Sequence, residues 1–320
     1  MSSSPHWSKQ KEIARSYWLF KLMMAVVKIL PLPFLRVLAF PVSFCYFVFG
    51  RRSRLESRRF LDVVNSVTPE KQHRSVYKHF ASFALCLIEK TAAWNGRISE
   101  KMVQYQNDDI EALVGDIRQK RGALLLSSHL GNVEMIRALV DFGRTYVKHS
   151  FPVISLVDFS VTKNFSRMLR ELNPDSMNQL IGVNEIGVET VARLQDALNS
   201  GGLVAVAGDR TAPSEDKGRF HFNFLGRPAL FPGGSFYLAS LLKVNVYFVF
   251  ALRQKTFSLS GEYDIRIIKS DVDFNCQRAE RNKRVESLAR SYVETLEKFC
   301  KEYPYQWYNF YEFWETQSAD

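Results

Sequence analysis

Cysteine is scarce in this chain. Four residues, Cys45, Cys86, Cys276 and Cys300, are spread over 320 positions with no C-x-x-C pair. That pattern excludes a zinc ribbon, a thioredoxin-like redox motif and a disulfide scaffold, and reads as four small buried hydrophobes. The 16 glycines form no Walker-type phosphate loop. Nor do His, Cys, Asp and Glu gather at metal-ligand spacing, so neither a cofactor nor a metal is expected. Internal repeats and low-complexity linkers are missing after residue 60. With 46% hydrophobic and 24% charged residues, the chain can bury one large core and is neither disordered nor collagen-like.

What is present begins with the charge. The net +10 is concentrated at one end: residues 1–60 hold 11 Lys/Arg against Glu12 and Glu56, while the remaining 260 residues are nearly neutral. A nucleic-acid binder would spread its basic stripe over a folded face. Here the bases interleave with the most apolar stretch of the chain, 17–50, and Arg51, Arg52, Arg54, Arg58 and Arg59 follow at once. The pattern points to an anionic membrane surface and argues against nucleic acid. The longest uncharged run, Val37–Gly50, has 14 residues, or ~21 Å of helix against a hydrocarbon core of ~30 Å. Pro31, Pro33 and Pro41 would kink or break a longer helix. Two membrane readings follow, a tilted, kinked span or a helical pair lying in the interface, with the arginines on the cytoplasmic side. A buried core hairpin is the alternative. A cleaved signal peptide is not expected, because the apolar run starts late and no small-residue cleavage site precedes the arginines.

Beyond residue 60 the periodicity predicts helices over 70–95, 107–120, 132–142, 162–172, 185–199, 234–243 and 279–301. Asn107 or Asp108 could cap the second of these and Gly122 could stop it. Between the helices lie short apolar runs typical of buried strands at 123–128, 151–157, 203–207, 245–252 and 261–268. Alternating strands and helices predict an α/β domain with a mostly parallel central sheet flanked by helices. The expected division is an anchoring segment over 1–60 and an α/β domain over 61–320. Ligands of such sheets gather at the carboxyl ends of the strands, which directs attention to His129 and Asp209.

Ser127-Ser128-His129-Leu130-Gly131-Asn132-Val133-Glu134 follows a strand and opens a helix. Five residues apart, His129 and Glu134 would lie ~140° apart on a regular helix. They meet only if His129 sits in the turn and Gly131 lets the chain bend back. Glu134 would then fix the imidazole tautomer and leave the other ring nitrogen free as a general base. The adjoining helix N-terminus would offer amide donors to a developing oxyanion. Ser127 and Ser128 lack the strained G-x-S-x-G elbow and read as turn residues rather than nucleophiles. His221 falls in a strand where packing or surface roles are favoured.

The H-x4-E spacing in the form HLGNVE resembles the lysophospholipid acyltransferase superfamily, and its Gly-Asn form resembles the bacterial lipid A biosynthesis acyltransferases. Other blocks agree in order. Val204-Ala205-Val206-Ala207-Gly208-Asp209-Arg210 ends 81 residues after the His, Phe224-Leu225-Gly226-Arg227-Pro228-Ala229 follows, and Pro304-Tyr305-Gln306-Trp307 precedes a run of aromatics. The sequence departs at Val133, where Trp is frequent, and in its less basic ending.

The resemblance implies transfer of a fatty acyl group from a thioester, on acyl carrier protein or CoA, to a hydroxyl of a membrane lipid. A thioester is already activated, so a base and an oxyanion site suffice without a covalent intermediate. His129 would be the base and Glu134 its orienter. Asp209, Arg210, Arg170 and Asn132 would line the substrate site, with Arg167 also on the helix that carries Arg170. The implied location is the cytoplasmic face of the bacterial inner membrane. A thioester hydrolase using the same base on water, an acyltransferase with a different acceptor, and a non-catalytic lipid-binding protein of the same fold are the alternatives.

Overall fold

Four helices precede any strand in the computed structural model, which describes residues 17–69, 73–106, 109–136, 151–159, 180–210 and 218–314. They are α1 (Tyr17–Ile29), α2 (Leu32–Phe49), α3 (Arg51–Val67) and α4 (Val76–Trp94). The prolines divide their labour. Pro31 flanks the break between α1 and α2, Pro33 lies in the first turn of α2, and Pro41 is carried inside that helix. The first turn tolerates proline because its N–H groups have no intrahelical acceptor. At 18 residues, or ~27 Å, α2 is long and apolar enough to cross a bilayer by length and composition. Its outer side exposes Phe34, Val37, Val42, Phe44, Val48 and Phe49. The Arg54 guanidinium donates to the carbonyls of Phe47 and Val48, placing a cation at the negative end of α2.

The strongly amphipathic α3 buries Ser57, Phe60, Leu61, Val63 and Val64 and exposes Arg51, Arg52, Arg58 and Arg59. The boundary expected at residue 60 therefore falls inside a helix whose Phe60, Leu61, Val63 and Val64 belong to the main core.

The remaining elements are β1 (Val103–Tyr105), α5 (Ile110–Arg118), β2 (Ala123–Ser127), β3 (Val153–Val157), β4 (Leu180–Gly182) and α6 (Val188–Asn199). After them come β5 (Leu203–Ala207), β6 (Phe220–Phe224), β7 (Arg227–Phe231), α7 (Gly234–Leu242), β8 (Asn245–Arg253), β9 (Tyr263–Lys269) and α8 (Arg281–Glu302). Among the described residues seven strands form one sheet in the order β1-β9-β8-β2-β5-β3-β4, in which only the β8–β9 pair is antiparallel. The mostly parallel α/β sheet expected from sequence is present. A separate β6–β7 hairpin, which carries exposed His221, was not anticipated as a pair.

Central strands read as apolar runs because both faces are covered. In β2, Leu124 and Leu126 enter one core cluster while Ala123 and Leu125 enter the other. The helix expected over 132–142 begins as a 3₁₀ turn, Val133–Ile136. Its remainder, the expected 162–172 helix with Arg167 and Arg170, and the cap candidates Asn107 and Asp108 lie outside the described residues.

A buried ion cluster ties the helical layer to the sheet. Glu89 of α4 is fully buried and accepts from Arg36 Nε of α2 at 2.8 Å, from Arg253 Nε and Nη2 of β8 at 3.2 and 3.1 Å, and from the Tyr263 hydroxyl of β9. Removing the shared carboxylate leaves two guanidinium groups facing each other without a counter-ion, whereas removing Arg36 leaves a neutral pair. Glu89→Ala is therefore expected to destabilise the protein by about 3–5 kcal/mol, and Arg36→Met by less than about 2 kcal/mol. Urea unfolding of the detergent-solubilised variants checks this; equal losses would show that Glu89 is not the shared element.

Candidate active site

Strand register brings the chemistry together. β2 and β5 run parallel with Ser127 opposite Ala207, so residues two positions beyond each strand end emerge side by side. Those residues are His129 and Asp209. His129 Nδ1 lies 2.8 Å from Asp209 Oδ1, and the His129 backbone N–H donates to Oδ2 at 2.8 Å. The Trp307 indole N–H, from the segment after α8, also reaches Oδ2 at 3.2 Å. Asp209 is 1% exposed, while 39% of the His129 side chain remains accessible.

The electrostatics favour a neutral imidazole beside an ionised carboxylate. Burial pushes the Asp209 carboxyl up, but the His129 ring and amide together with the Arg210 charge outweigh it, and its pKa is lowered. For His129, burial and the Arg210 charge outweigh the attraction of Asp209, so its pKa is lowered too. An ionised aspartate only accepts, so Nδ1 carries the ring proton and Nε2 keeps its lone pair.

The loop after His129 is held by its own hydrogen bonds. Ser128 Oγ accepts from Leu130 N at 3.1 Å, Gly131 N donates to Gln306 O at 2.9 Å, and Asn132 N donates to Ala251 O at 2.9 Å. Asn132 Oδ1 caps Glu134 N at 3.3 Å. The amides of residues 129–132 and 134 are thus engaged inside the protein. Asn132 Nδ2 is buried without an acceptor among the described residues. Gly131 has φ +75°, and a Cβ there would stand 2.0 Å from the Ala251 carbonyl oxygen. Both left-handed backbone and close approach to β8 require glycine. Ser127 and Ser128 are buried, with Ser127 Oγ on the Val206 carbonyl at 3.4 Å.

Glu134 is placed differently from expectation. Its carboxylate pairs with Lys90 of α4 at 3.2 Å, and the His129 ring is oriented by Asp209 instead. The physical reason is that the turn after Gly131 runs along α4, where Cys86 also reaches the Gly131 carbonyl at 3.6 Å. Arg210 donates to the Tyr308 carbonyl at 3.1 Å and lies over the Tyr311 ring. Arg170 lies outside the described residues, and His221 sits on the β6–β7 hairpin.

Sequence reasoning missed Gln306 and Trp307 as working parts. Gln306 bonds both ways to the Arg253 backbone, at 2.8 and 2.7 Å, while its carbonyl holds Gly131. Only the P-x-Q-W string signalled them; Lys90 carried no signal beyond being a cation on an apolar helix.

Residues 4–316 match the family model described as bacterial lipid A biosynthesis acyltransferase. No curated protein matches the chain.

Because Gly131 meets both a left-handed backbone and a carbonyl contact, Gly131→Ala is expected to destabilise by more than ~1 kcal/mol and to displace the His129 loop. Thermal unfolding checks the first effect and limited proteolysis at the loop the second; a variant with parental stability and protection would refute the close-approach argument.

Proposed function

The chain belongs to the bacterial lipid A biosynthesis acyltransferase family, and on that premise we propose that it is a late acyltransferase with His129 as general base. The acyl donor is a thioester on acyl carrier protein or CoA, and the acceptor is a hydroxyl of a lipid A precursor. The observation that carries the reading is the imidazole whose Nδ1–H is fixed by a buried carboxylate while its ring stays partly accessible and Nε2 meets no partner among the described residues.

In the proposed reaction Nε2 takes the acceptor hydroxyl proton as the oxygen attacks the thioester carbon. The tetrahedral oxyanion collapses with cleavage of the C–S bond, and the proton on Nε2 passes to the departing thiolate. The products are an ester and a thiol. Asp209 stays ionised and stabilises the transient imidazolium, and it takes the orienting role expected of Glu134. Glu134, through Lys90, keeps the turn seated on α4. Asn132 Nδ2 and the Arg210 charge are the donors proposed for the oxyanion or a substrate phosphate. Ser127 and Ser128, buried and turned toward the backbone, support transfer without an acyl-serine intermediate.

Attachment to the cytoplasmic face of the bacterial inner membrane is part of the proposal. The apolar outer side of α2 and the exposed arginines of α3 support it, the first by burial in acyl chains and the second by attraction to lipid phosphates. Residues 1–60 would act as the anchor and 61–320 as the catalytic body, with α3 shared between them.

His129→Ala should lower acyl transfer by about 10²–10⁴-fold with unfolding temperature nearly unchanged. Asp209→Asn, which presents the wrong tautomer partner, should cost more activity than Glu134→Gln. Since the His129 pKa is lowered, the acid limb of kcat/KM should lie below the ordinary imidazole value of ~6.5. An acyl group trapped on Ser127 or Ser128, or a fully active His129→Ala variant, would overturn the mechanism. The full chain should also sediment with membranes and resist release by 1 M salt, on the order of a 3 Å Debye length, because screening leaves apolar burial intact. Recovery in the soluble fraction would remove the attachment reading.

A further inference from the structure

The hydrogen bonding that fixes Asp209 does not stop at Trp307. His79 of α4 is fully buried among the rings of Phe60, Tyr308 and Phe310. Its Nε2 lies 3.0 Å from the Trp307 carbonyl oxygen, and its Nδ1 lies 2.9 Å from Ser57 Oγ on α3. A carbonyl only accepts, so Nε2 carries the proton, Nδ1 is the acceptor and the Ser57 hydroxyl donates. Burial lowers the His79 pKa to about 4, which keeps the ring neutral and that polarity fixed at neutral pH. Trp307 is placed twice more: its backbone bridges Leu130, next to His129, and its indole donates to Asp209. A line of contacts thus joins Ser57, His79, Trp307 and Asp209, and the carboxylate at its end accepts from both the Trp307 indole and the His129 ring.

We propose that Ser57, His79 and Trp307 are positioning residues that set the base strength of His129 through Asp209. The proposal deepens the reading of His129 as general base and rests on it. A buried carboxylate that faced the imidazole alone would place its full charge against Nδ1–H and hold the ring as imidazolium. Each further donor on the carboxylate draws charge away from that bond and returns the ring to its neutral, proton-accepting form. Trp307 supplies such a donor on Oδ2, and His79 with Ser57 hold the Trp307 backbone where the indole can reach. The other groups facing the pair are Arg210, Lys90 with Glu134, and Tyr292, Cys300 and Tyr311 around Asp209. None of them is itself substituted in the variants at 57, 79 and 307.

The test reads the imidazole itself. Carbethoxylation of His129 by diethyl pyrocarbonate, followed by peptide mass spectrometry across pH on the full chain in detergent, reports the neutral ring without requiring turnover. In Trp307→Phe the midpoint is expected to move to higher pH, because the carboxylate charge returns to Nδ1. The acid limb of acyl transfer should move with it, and kcat should fall about 10-fold, as for loss of an outer partner of a functional imidazole, with KM for the thioester unchanged. His79→Phe should shift the midpoint in the same direction, and His79→Gln, which keeps an N–H toward the Trp307 carbonyl, should restore it. Where His79→Phe fails to fold, Ser57→Ala and Trp307→Phe decide. An unmoved midpoint in folded Trp307→Phe overturns the proposal. A moved midpoint with a still-active His129→Ala variant would support the positioning line and remove only the base reading.

Discussion

A carboxylate buried to 1% exposure has to be matched, and the arrangement around Asp209 is organised by that requirement. Its donors come from segments 80 and 98 residues away in sequence, the His129 amide and ring on one side and the Trp307 indole on the other. They can converge only because β2 lies between β5 and β8 in the sheet, with Ser127 level with Ala207. Shift that register by one residue and the pair separates while the β2 core faces exchange. Gly208 N on the Ser127 carbonyl, and the Tyr292 hydroxyl on the same oxygen, lock the register at its carboxyl end. The base is therefore positioned by backbone pairing first and by side-chain chemistry second.

The second buried carboxylate, Glu89, plays the corresponding part for the helices. Through Arg36, Arg253 and Tyr263 it joins α2, α4, β8 and β9. The same helix α4 contributes Cys86 and Lys90 to the His129 loop and His79 to the Trp307 segment. Residues 304–314 are the joint between these systems. Gln306 clamps β8 to Gly131, and Trp307 bridges Leu130 while reaching Asp209. An N-terminal layer that looks separable by charge and hydropathy is thus woven into the core by specific polar contacts.

This explains what could be read from the residues alone. Runs such as Ala123–Ser127 and Leu203–Ala207 announce buried parallel strands because both faces are covered and most positions are apolar. His129 and Asp209 are legible as strand-end residues, and Gly131 as a bend. Their mutual contact is not, since it depends on strand order, a property of the whole sheet. The three-residue β1 and β4 are too short to show a period. Glu134 misleads for a physical reason: a bend at Gly131 would let it approach His129, but the fold pairs its carboxylate with Lys90, on a helix distant in sequence. His79 looks like one polar residue on an amphipathic helix; only the fold places a carbonyl and a hydroxyl at its two nitrogens.

On the proposed reading the geometry also accounts for how a lipid acceptor and a polar base can share a site. A hydroxyl on an amphiphile stays near the headgroup plane, so the base must stand close to the surface that touches lipid without being covered by it. The apolar side of α2 is turned outward while its buried Arg36 is held on Glu89 of α4, and the next residue of α4, Lys90, pairs with Glu134 in the loop that follows His129. The packing of α2 on α4 and of α4 on the loop therefore sets the distance from the outer side of α2 to the base. An anchor joined by a flexible linker would leave that distance undefined. The buried Arg36–Glu89 contact fixes it, and so makes the position of the base relative to the lipid-facing helix a property of the folded core.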